Sequence, residues 1–289
     1  MDIKFHCSEL DNFPEKDKML RAFTYNDYTI NEHNHDFYEI NIVLGGRGVH
    51  RIENTDVSVR RGDVFIIPPK TVHSYRNTEK LQVYHILLKK KFIKNNQSES
   101  KSVPGFLQLT EIEPFLRQVS ELSVFLHLDN TQIAELWNDI RIIEDNGKFD
   151  NPQFWALQNH TAWKILYYLS YLLYNQTINN TKKQKFKYKQ QILDTLEYIH
   201  LEYANKITID SLAKRVFLSR ATFIRSFQSV CNCTPIKYLN NHRIQKAQEF
   251  LKNPDCSKTE VAHKCGFYDL SHMEKMIESY TIENKKRTH

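Results

Sequence analysis

The sequence predicts an α+β protein: an N-terminal β-barrel or sandwich followed by helices, then an all-α C-terminal domain with two helix-turn-helix units. Three observations predict it. Residues 21–88 alternate short apolar runs with turn residues, the pattern of many short strands. Residues 111–175 change to helical apolar spacing. The last hundred residues write one capped helix, turn and second helix twice, at 208–227 and again at 257–276.

In order along the chain, the strand signals are Tyr38-Glu-Ile-Asn-Ile-Val-Leu44 before Gly45-Gly46, then Val64-Phe-Ile-Ile67 before Pro68-Pro69, then residues 81–88. Residues 89–103 are rich in Lys, Ser and Asn and read as a loop. Thr110 with Glu113 reads as a capping box, and Ile112, Phe115, Leu116, Val119, Leu122 and Leu126 follow at helical spacing. Asp145-Asn-Gly147 is a break, and residues 154–174 form a second helix, apolar over much of its surface. Such a helix packs on its own barrel or on a second subunit. Residues 176–190 are polar and cationic and read as a linker. The expected organisation is a sensing barrel at 1–103, a helical dimerisation segment at 104–175, the linker, and a DNA-binding domain at 191–289.

In the first repeated unit, Thr208 caps a support helix whose Leu212, Ala213 and Val216 face the core. Ser219 caps the next helix, Phe223 and Phe227 are its buried stripe, and Ala221, Ile224 and Arg225 point outward. Arg225 suits a bidentate contact to guanine, while Ala221 and Ile224 can meet a thymine methyl. Thr234-Pro235 opens a long helix with Ile236, Leu239, Ile244, Ala247 and Leu251 on its apolar face, and Asn253-Pro254 ends it. That rigid spacer predicts two units meeting major-groove faces about 34 Å apart. In the second unit Ser257 and Glu260 form a capping box, Gly266 serves the turn, and Leu270, Ser271 and Lys275 take the outward positions. Glu274 and Glu278 on the same helix would repel phosphates, so this unit is expected to bind more weakly. Residues nearby complete the DNA-contacting set: Ser219, Arg220, Thr222 and His272.

Charge agrees with this division. Residues 182–289 hold 20 Lys+Arg against 11 Asp+Glu, and residues 1–181 hold 20 against 23, giving +9 and −3 of the total +6. A basic C-terminal third is the footprint of a polyphosphate partner. The 289 residues are enough for about two domains, and 40% hydrophobic content supports packed cores. The longest apolar run, residues 165–173, is too short for a membrane span, and the start Met-Asp-Ile-Lys-Phe-His is not a signal peptide. Five Cys without a CxxC pair read as reduced thiols, which places the chain in the cytoplasm. No Ser-His-Asp, Walker or GxGxxG pattern is present, and no enzyme activity is expected.

The C-terminal hundred residues resemble the DNA-binding domain of the AraC/XylS family of bacterial transcription regulators. The likeness rests on Ile209 to Ala213, Ser219 with Phe223, Arg225 and Phe227, Thr234-Pro235, Tyr238-Leu239, Arg243-Ile244, Ala247, Glu260-Val-Ala262 and Cys265-Gly-Phe267. It implies base contacts at Ala221, Ile224 and Arg225, and at Leu270, Ser271 and Lys275. It implies double-stranded DNA as partner, a small effector, a homodimer, and RNA polymerase if the protein activates. Asn232 stands where the family usually has Gly, and Asn tolerates a left-handed backbone. The family's closing stretch is replaced by residues 276–289, which leaves the final supporting helix of the second unit missing or differently finished.

The N-terminal part holds His33-x-His35-x3-Glu39-x6-Gly46, then Gly62-x5-Pro68-x-Lys70-x2-His73-x3-Asn77. This resembles the two motifs of cupin barrels, with Lys70 where Gly is usual. In metal-binding cupins the matching residues, here His33, His35, Glu39 and His73, hold one divalent transition metal, and the donor types do not choose among Zn, Fe, Ni and Mn. Regulators of the family commonly use such a barrel for a small effector, often a sugar, without metal. Effector candidates are therefore His33, His35, Glu39, His73, Tyr38 and Tyr75, with Phe37 as a further ring. Three readings stay open: a ligand-responsive regulator, a cupin metalloenzyme or metal sensor fused to DNA-binding units, and a constitutive DNA-binding protein with a structural barrel.

Overall fold

The computed structural model describes residues 5–119, 126–179, 188–253 and 256–287. It divides into two compact units, Met1–Asn180 and Thr181–His289. Among the described residues no helix is long and apolar enough to cross a membrane.

The first unit opens with β1 (Phe5–Cys7), α1 (Glu9–Asn12), β2 (Leu20–Tyr25) and β3 (Ile30–His35), followed by β4 (Tyr38–Ile52), β5 (Thr55–Arg60), β6 (Asp63–Ile67) and β7 (His73–Leu88). The two long strands organise it. β4 pairs β7 along its whole length, β6 through its first half and β5 through its second. β7 in turn pairs β3 through its first half and β2 through its second. One continuous pair therefore passes through two layers. It bends where the register shifts around Gly45 and Gly46. Gly46 has φ 73°, and a Cβ there would collide with the Lys80 carbonyl, so the bend requires glycine. The layers share an interior of Tyr28, Val43, Ile52, Val59, Phe65, Ile67, Tyr75, Leu81 and Val83. Within β6 and β7 these residues keep even spacing, Phe65 with Ile67 and Tyr75 with Leu81 and Val83, as a half-buried sheet demands, and the register shifts in β4 change the phase between Val43 and Ile52.

After β7 the chain departs from expectation in four places. The expected loop at 89–103 contains helices α2 (Lys90–Asn95) and α3 (Gln97–Ser100), because Phe92 and Ile93 are buried and give the first of them an apolar face. The expected cap at Thr110 does not form. A π-helical turn, Gln108–Ile112, runs into α4 (Glu113–Val119), Thr110 donates to the Phe106 carbonyl at 2.8 Å, and Glu113 pairs with buried Arg117. Leu126 lies in a short strand, β8 (Leu126–His127), paired with β6 rather than in a helix, and Leu122 falls outside the described residues. α5 (Asn130–Ile143) and α6 (Trp155–Asn179) follow, and α6 continues through the first residues of the expected linker. The break between them is an anchor: Lys18 reaches Asp145 at 3.0 Å and Asp150 at 2.5 Å, and Arg21 reaches Asp145 at 2.7 Å.

The second unit is helical: α7 (Lys189–Glu202), α8 (Ile209–Arg215), α9 (Arg220–Cys231), α10 (Pro235–Phe250), α11 (Lys258–Lys264) and α12 (Leu270–Arg287). Thr208, Ser219, Thr234 and Ser257 cap four of these through their side-chain oxygens. α10 belongs to both halves. Its Tyr238 and Leu239 are buried, with Tyr238 edge-on to Phe227 at 5.9 Å, and its Ile244 and Ala247 join Val261, Ala262, Cys265, Phe267 and Met273 in a second core. Within this helical unit Arg243 ties down the end of α7 and the segment that precedes α8 by donating to the carbonyls of Tyr203 at 2.7 Å and Asn205 at 2.8 Å. Asn232 is left-handed at φ 52°, as its place in the motif required. α12 continues as one helix, with Met276, Ile277 and Tyr280 packed on the second core.

Candidate functional site

The barrel places its chemistry inside. His33 and His73 face each other directly across β3 and β7, with ring centroids 4.2 Å apart. Glu39 comes from β4. Its Oε2 lies 3.0 Å from His35 Nε2 and 3.5 Å from His73 Nε2, and its Oε1 lies 2.7 Å from His85 Nδ1. Exposures of 4% for His33, 1% for His35, 4% for Glu39 and 1% for His73 leave no room for an organic ring among them. His33, Glu39 and His73 each offer one donor atom within 4.8 Å of the others; His35 does not share that mutual spacing, although its Nε2 approaches Glu39 Oε2 at 3.0 Å.

The ring nitrogens turned away from the centre explain how it is held. His33 Nδ1 donates to the Asn31 carbonyl at 2.9 Å, and His35 Nδ1 donates to the Phe37 carbonyl at 2.7 Å. A carbonyl can only accept, so each neutral ring carries its lone pair on Nε2. His73 Nδ1 meets His50 Nε2 at 3.3 Å, which again turns Nε2 toward Glu39. Neither His35 Nε2 nor His73 Nε2 makes a directed hydrogen bond, although both stand beside the carboxylate. Lone pairs facing a carboxylate at such distances repel unless positive charge sits between them.

Burial would raise the Glu39 carboxyl, but hydrogen bonds from His35 and His85 and the charge of His73 hold it well below the usual carboxylate range; that lowering requires protons on the nitrogens facing it, which balance its charge as an ion would. Burial pushes His33 down and His50 and His73 well down, so these rings are neutral at neutral pH and free to donate to an ion.

Of the other expected effector residues, Tyr75 is fully buried and stacks on His50 at 3.9 Å, and Phe37 stacks on His35 at 4.5 Å. Tyr38 is half-buried and, as the strand neighbour of Glu39, faces the other side, so the structure does not bring it to this centre. Lys70 has φ 71°, adopting the left-handed backbone that glycine usually supplies in this motif, with its Nζ 2.8 Å from Asp36. Three residues escaped sequence reasoning: Asn41, His50 and His85. The signal was present as strand alternation, since Asn41 is two residues after Glu39 on β4 and pairs across with His85 on β7.

The helical unit places its chemistry outside. Ser219, Arg220, Ala221 and Arg225 are exposed and Thr222 and Ile224 half-buried, while Phe223 and Phe227 are fully buried beneath them. Ser219 accepts from the Thr222 backbone N–H. Arg220 pairs with Asp210 at 2.7 Å. In the second unit Ser271, His272 and Lys275 are exposed, but Leu270 is half-buried against the second core and is only partly available. The expected repulsion from Glu274 is also reduced, because Lys258 pairs with it at 2.9 Å. Asp269 caps α12 by accepting from the His272 backbone N–H at 2.7 Å.

Comparison with known proteins gives two family matches: an AraC-like ligand binding domain over residues 19–143 and a helix-turn-helix domain over residues 212–283. The chain is similar to the HTH-type transcriptional activator RhaS of Escherichia coli O81 (strain ED1a), at 25% identity over 246 residues, 85% of this chain and 82% of that protein. Among solved structures it is similar to the DNA-binding domain of AdpA in complex with a target DNA, at 27% identity over 31% of this chain and 80% of that one, TM-score 0.30. ToxT from Vibrio cholerae O395 matches at 12% identity over 91% of this chain and 94% of that one, TM-score 0.35. With these two domains in this order, the chain belongs to the AraC family of transcription regulators, with an AraC-like ligand binding domain ahead of a helix-turn-helix DNA-binding domain.

Proposed function

We propose that this regulator senses through the His–Glu centre of its barrel, and that a divalent transition metal is what His33, His35, Glu39 and His73 hold. One observation carries the reading: imidazole Nε2 atoms whose Nδ1 partners fix their direction converge on one buried carboxylate, and two of them, His35 Nε2 and His73 Nε2, make no directed hydrogen bond. Metal-ligating histidines are oriented by outer partners in this way. At metal–ligand distances of about 2.0–2.2 Å, neighbouring donor atoms fall about 3–3.5 Å apart, which matches the 3.0 and 3.5 Å contacts to Glu39 Oε2. Protein donors closed off from solvent favour a sensing or structural ion over a catalytic one, which needs an open position.

The DNA face is Ser219, Arg220, Ala221, Thr222, Ile224 and Arg225, with Ser271, His272, Lys275 and the exposed part of Leu270 as the weaker second half. Residues 104–175 are the dimerisation segment, and the apolar surface of Trp137, Leu157 and Tyr171 supports a homodimer. Activation through RNA polymerase in the cytoplasm is the output, in keeping with the activator named among the relatives. The metal must bind DNA-competent and incompetent arrangements unequally to act as a signal.

The test is metal content by mass spectrometry of full-length protein purified without chelators, beside a His35→Ala/His73→Ala double variant, together with DNA affinity before and after chelation. Near-stoichiometric metal, absent from the variant, and a DNA affinity that changes on chelation are expected. No metal even after reloading would overturn the reading. A second reading, a metal-free polar effector, is favoured by Asn41 and Tyr75, which are fully buried and retain unfilled hydrogen-bonding capacity.

A further inference from the structure

Each helix-turn-helix turn carries one bare aromatic ring beside its reading helix. Phe217 is 95% exposed and Tyr268 is 86% exposed, the two most exposed rings among the large apolar residues described. Phe217 lies two residues before the cap of α9, Ser219, and Tyr268 lies one residue before Asp269, whose side chain caps the first turn of α12.

Phe217 is the more unusual of the two. Each turn has one left-handed residue, Gly266 at φ 75° in the second unit and Phe217 at φ 56° in the first. A bulky residue rarely takes that conformation, because its Cβ crowds the backbone. At Gly266 the packing forbids anything larger, since a Cβ would meet the Ala204 carbonyl oxygen at 2.6 Å. At Phe217 a large apolar ring is held in the same strained backbone with almost no contact to repay it. Neither folding nor solubility accounts for a phenyl ring there.

The surroundings say what it meets. Lys214 and Arg215, exposed at the end of α8, and Arg220, at the start of α9, flank Phe217 in the chain; exposed His263 and Lys264 precede Tyr268. An exposed ring among cations at the N-terminal end of a reading helix complements a polyanion that also offers apolar surface. Duplex DNA does, through its deoxyribose faces and thymine methyls. We propose that Phe217 and Tyr268 are DNA-contacting wedges, one per unit, which pack on the edge of the duplex and set the depth at which α9 and α12 enter the groove. The proposal rests on the DNA-binding reading above and adds to it two residues outside the base-reading set.

The test uses full-length protein and an operator duplex selected by that protein from a random-sequence library. Phe217→Gly should raise the melting temperature, because strain is relieved, and weaken operator binding roughly tenfold, the scale of burying part of a phenyl ring. Tyr268→Ala should weaken binding similarly, Tyr268→Phe much less, and the Phe217→Gly/Tyr268→Ala losses should multiply. The slope of log affinity against log salt should not change, since no phosphate charge is neutralised by either ring. Wild-type affinity in Phe217→Gly would overturn the proposal alone. Wild-type affinity with lost promoter activation would overturn it in favour of a protein partner. A slope reduced by about one would assign the loss to an ionic contact and also overturn it. If the unaltered protein selects no sequence, the DNA-binding reading falls, and the wedge with it.

Discussion

The barrel and the helical unit use polar residues in opposite ways. In the barrel Glu39 and the histidines around it are almost completely buried, and each is positioned by another strand. In the helical unit Arg225, Ser271 and Lys275 stand in solvent on faces that make no demand on the core. A buried charge must be satisfied by its neighbours, so it is part of the fold. An exposed one is nearly neutral for folding and is available to a partner. The comparison predicts that substitutions in the barrel act first on stability and those on the helices act on affinity.

The largest effect is expected at Glu39. Glu39→Gln removes the charged partner of a buried group and should destabilise the barrel by about 3–5 kcal/mol, with loss of metal, measured by calorimetry and metal analysis. If the variant melts with the wild type, the centre is not a buried ionic site. The same centre makes the barrel acid-labile. His33, His50 and His73 have folded pKa values below their ordinary value, and Glu39 below its own. Depressed groups contribute stability that is present above the unfolded pKa and lost as pH falls. For the histidines the loss should begin near pH 6.5, and Glu39 adds to it below the ordinary carboxylate range. Denaturant midpoints measured from pH 8 to 4 should fall for the first unit; a flat profile would contradict the burial of neutral imidazoles.

Next in size is Gly266→Ala, a place where the helical unit, like the barrel, is constrained by its packing. A Cβ there is 2.6 Å from the Ala204 carbonyl and the backbone is left-handed, so about 1–3 kcal/mol of strain is expected, seen in the melting of the second unit and in lost operator binding. Arg225→Ala should leave melting unchanged and reduce discrimination at one base pair by about 1–3 kcal/mol. Lys275→Ala should do less, and a larger loss there would reverse the order of the two units. The smallest effect is Glu274→Gln. It breaks an exposed pair with Lys258 worth less than about 1 kcal/mol and should slightly tighten DNA binding, as read by fluorescence anisotropy at low salt.

Much of the helical unit was legible because its signals are local. Thr208, Ser219, Thr234 and Ser257 sit within three residues of the backbone groups they cap, and Phe223 and Phe227 lie one helical turn apart. The burial of His33, His35, Glu39 and His73 in one part of the barrel was legible through motif spacing and strand alternation. What failed was decided at long range. Thr110 and Glu113 have the spacing of a capping box, but Glu113 is claimed by Arg117, which also donates to the Ile66 carbonyl far away in the chain. Leu126 continues a helical spacing, yet β6 offers it an edge and pairs Val64 with it. Leu270 occupies an outward motif position, but the second core draws it in.

The change from strands to helices, the two repeated units, their caps and the outward cations are written in the sequence by itself, because each depends on residues within one or two turns of helix or one strand length. Only the tertiary structure decided the depth of the His–Glu centre, the addition of His50, His85 and Asn41 to it, the pairing of Lys258 with Glu274, and the bareness of Phe217. Each of these is a relation between residues distant in the chain or a degree of exposure, and both are set by how strands and helices close on one another.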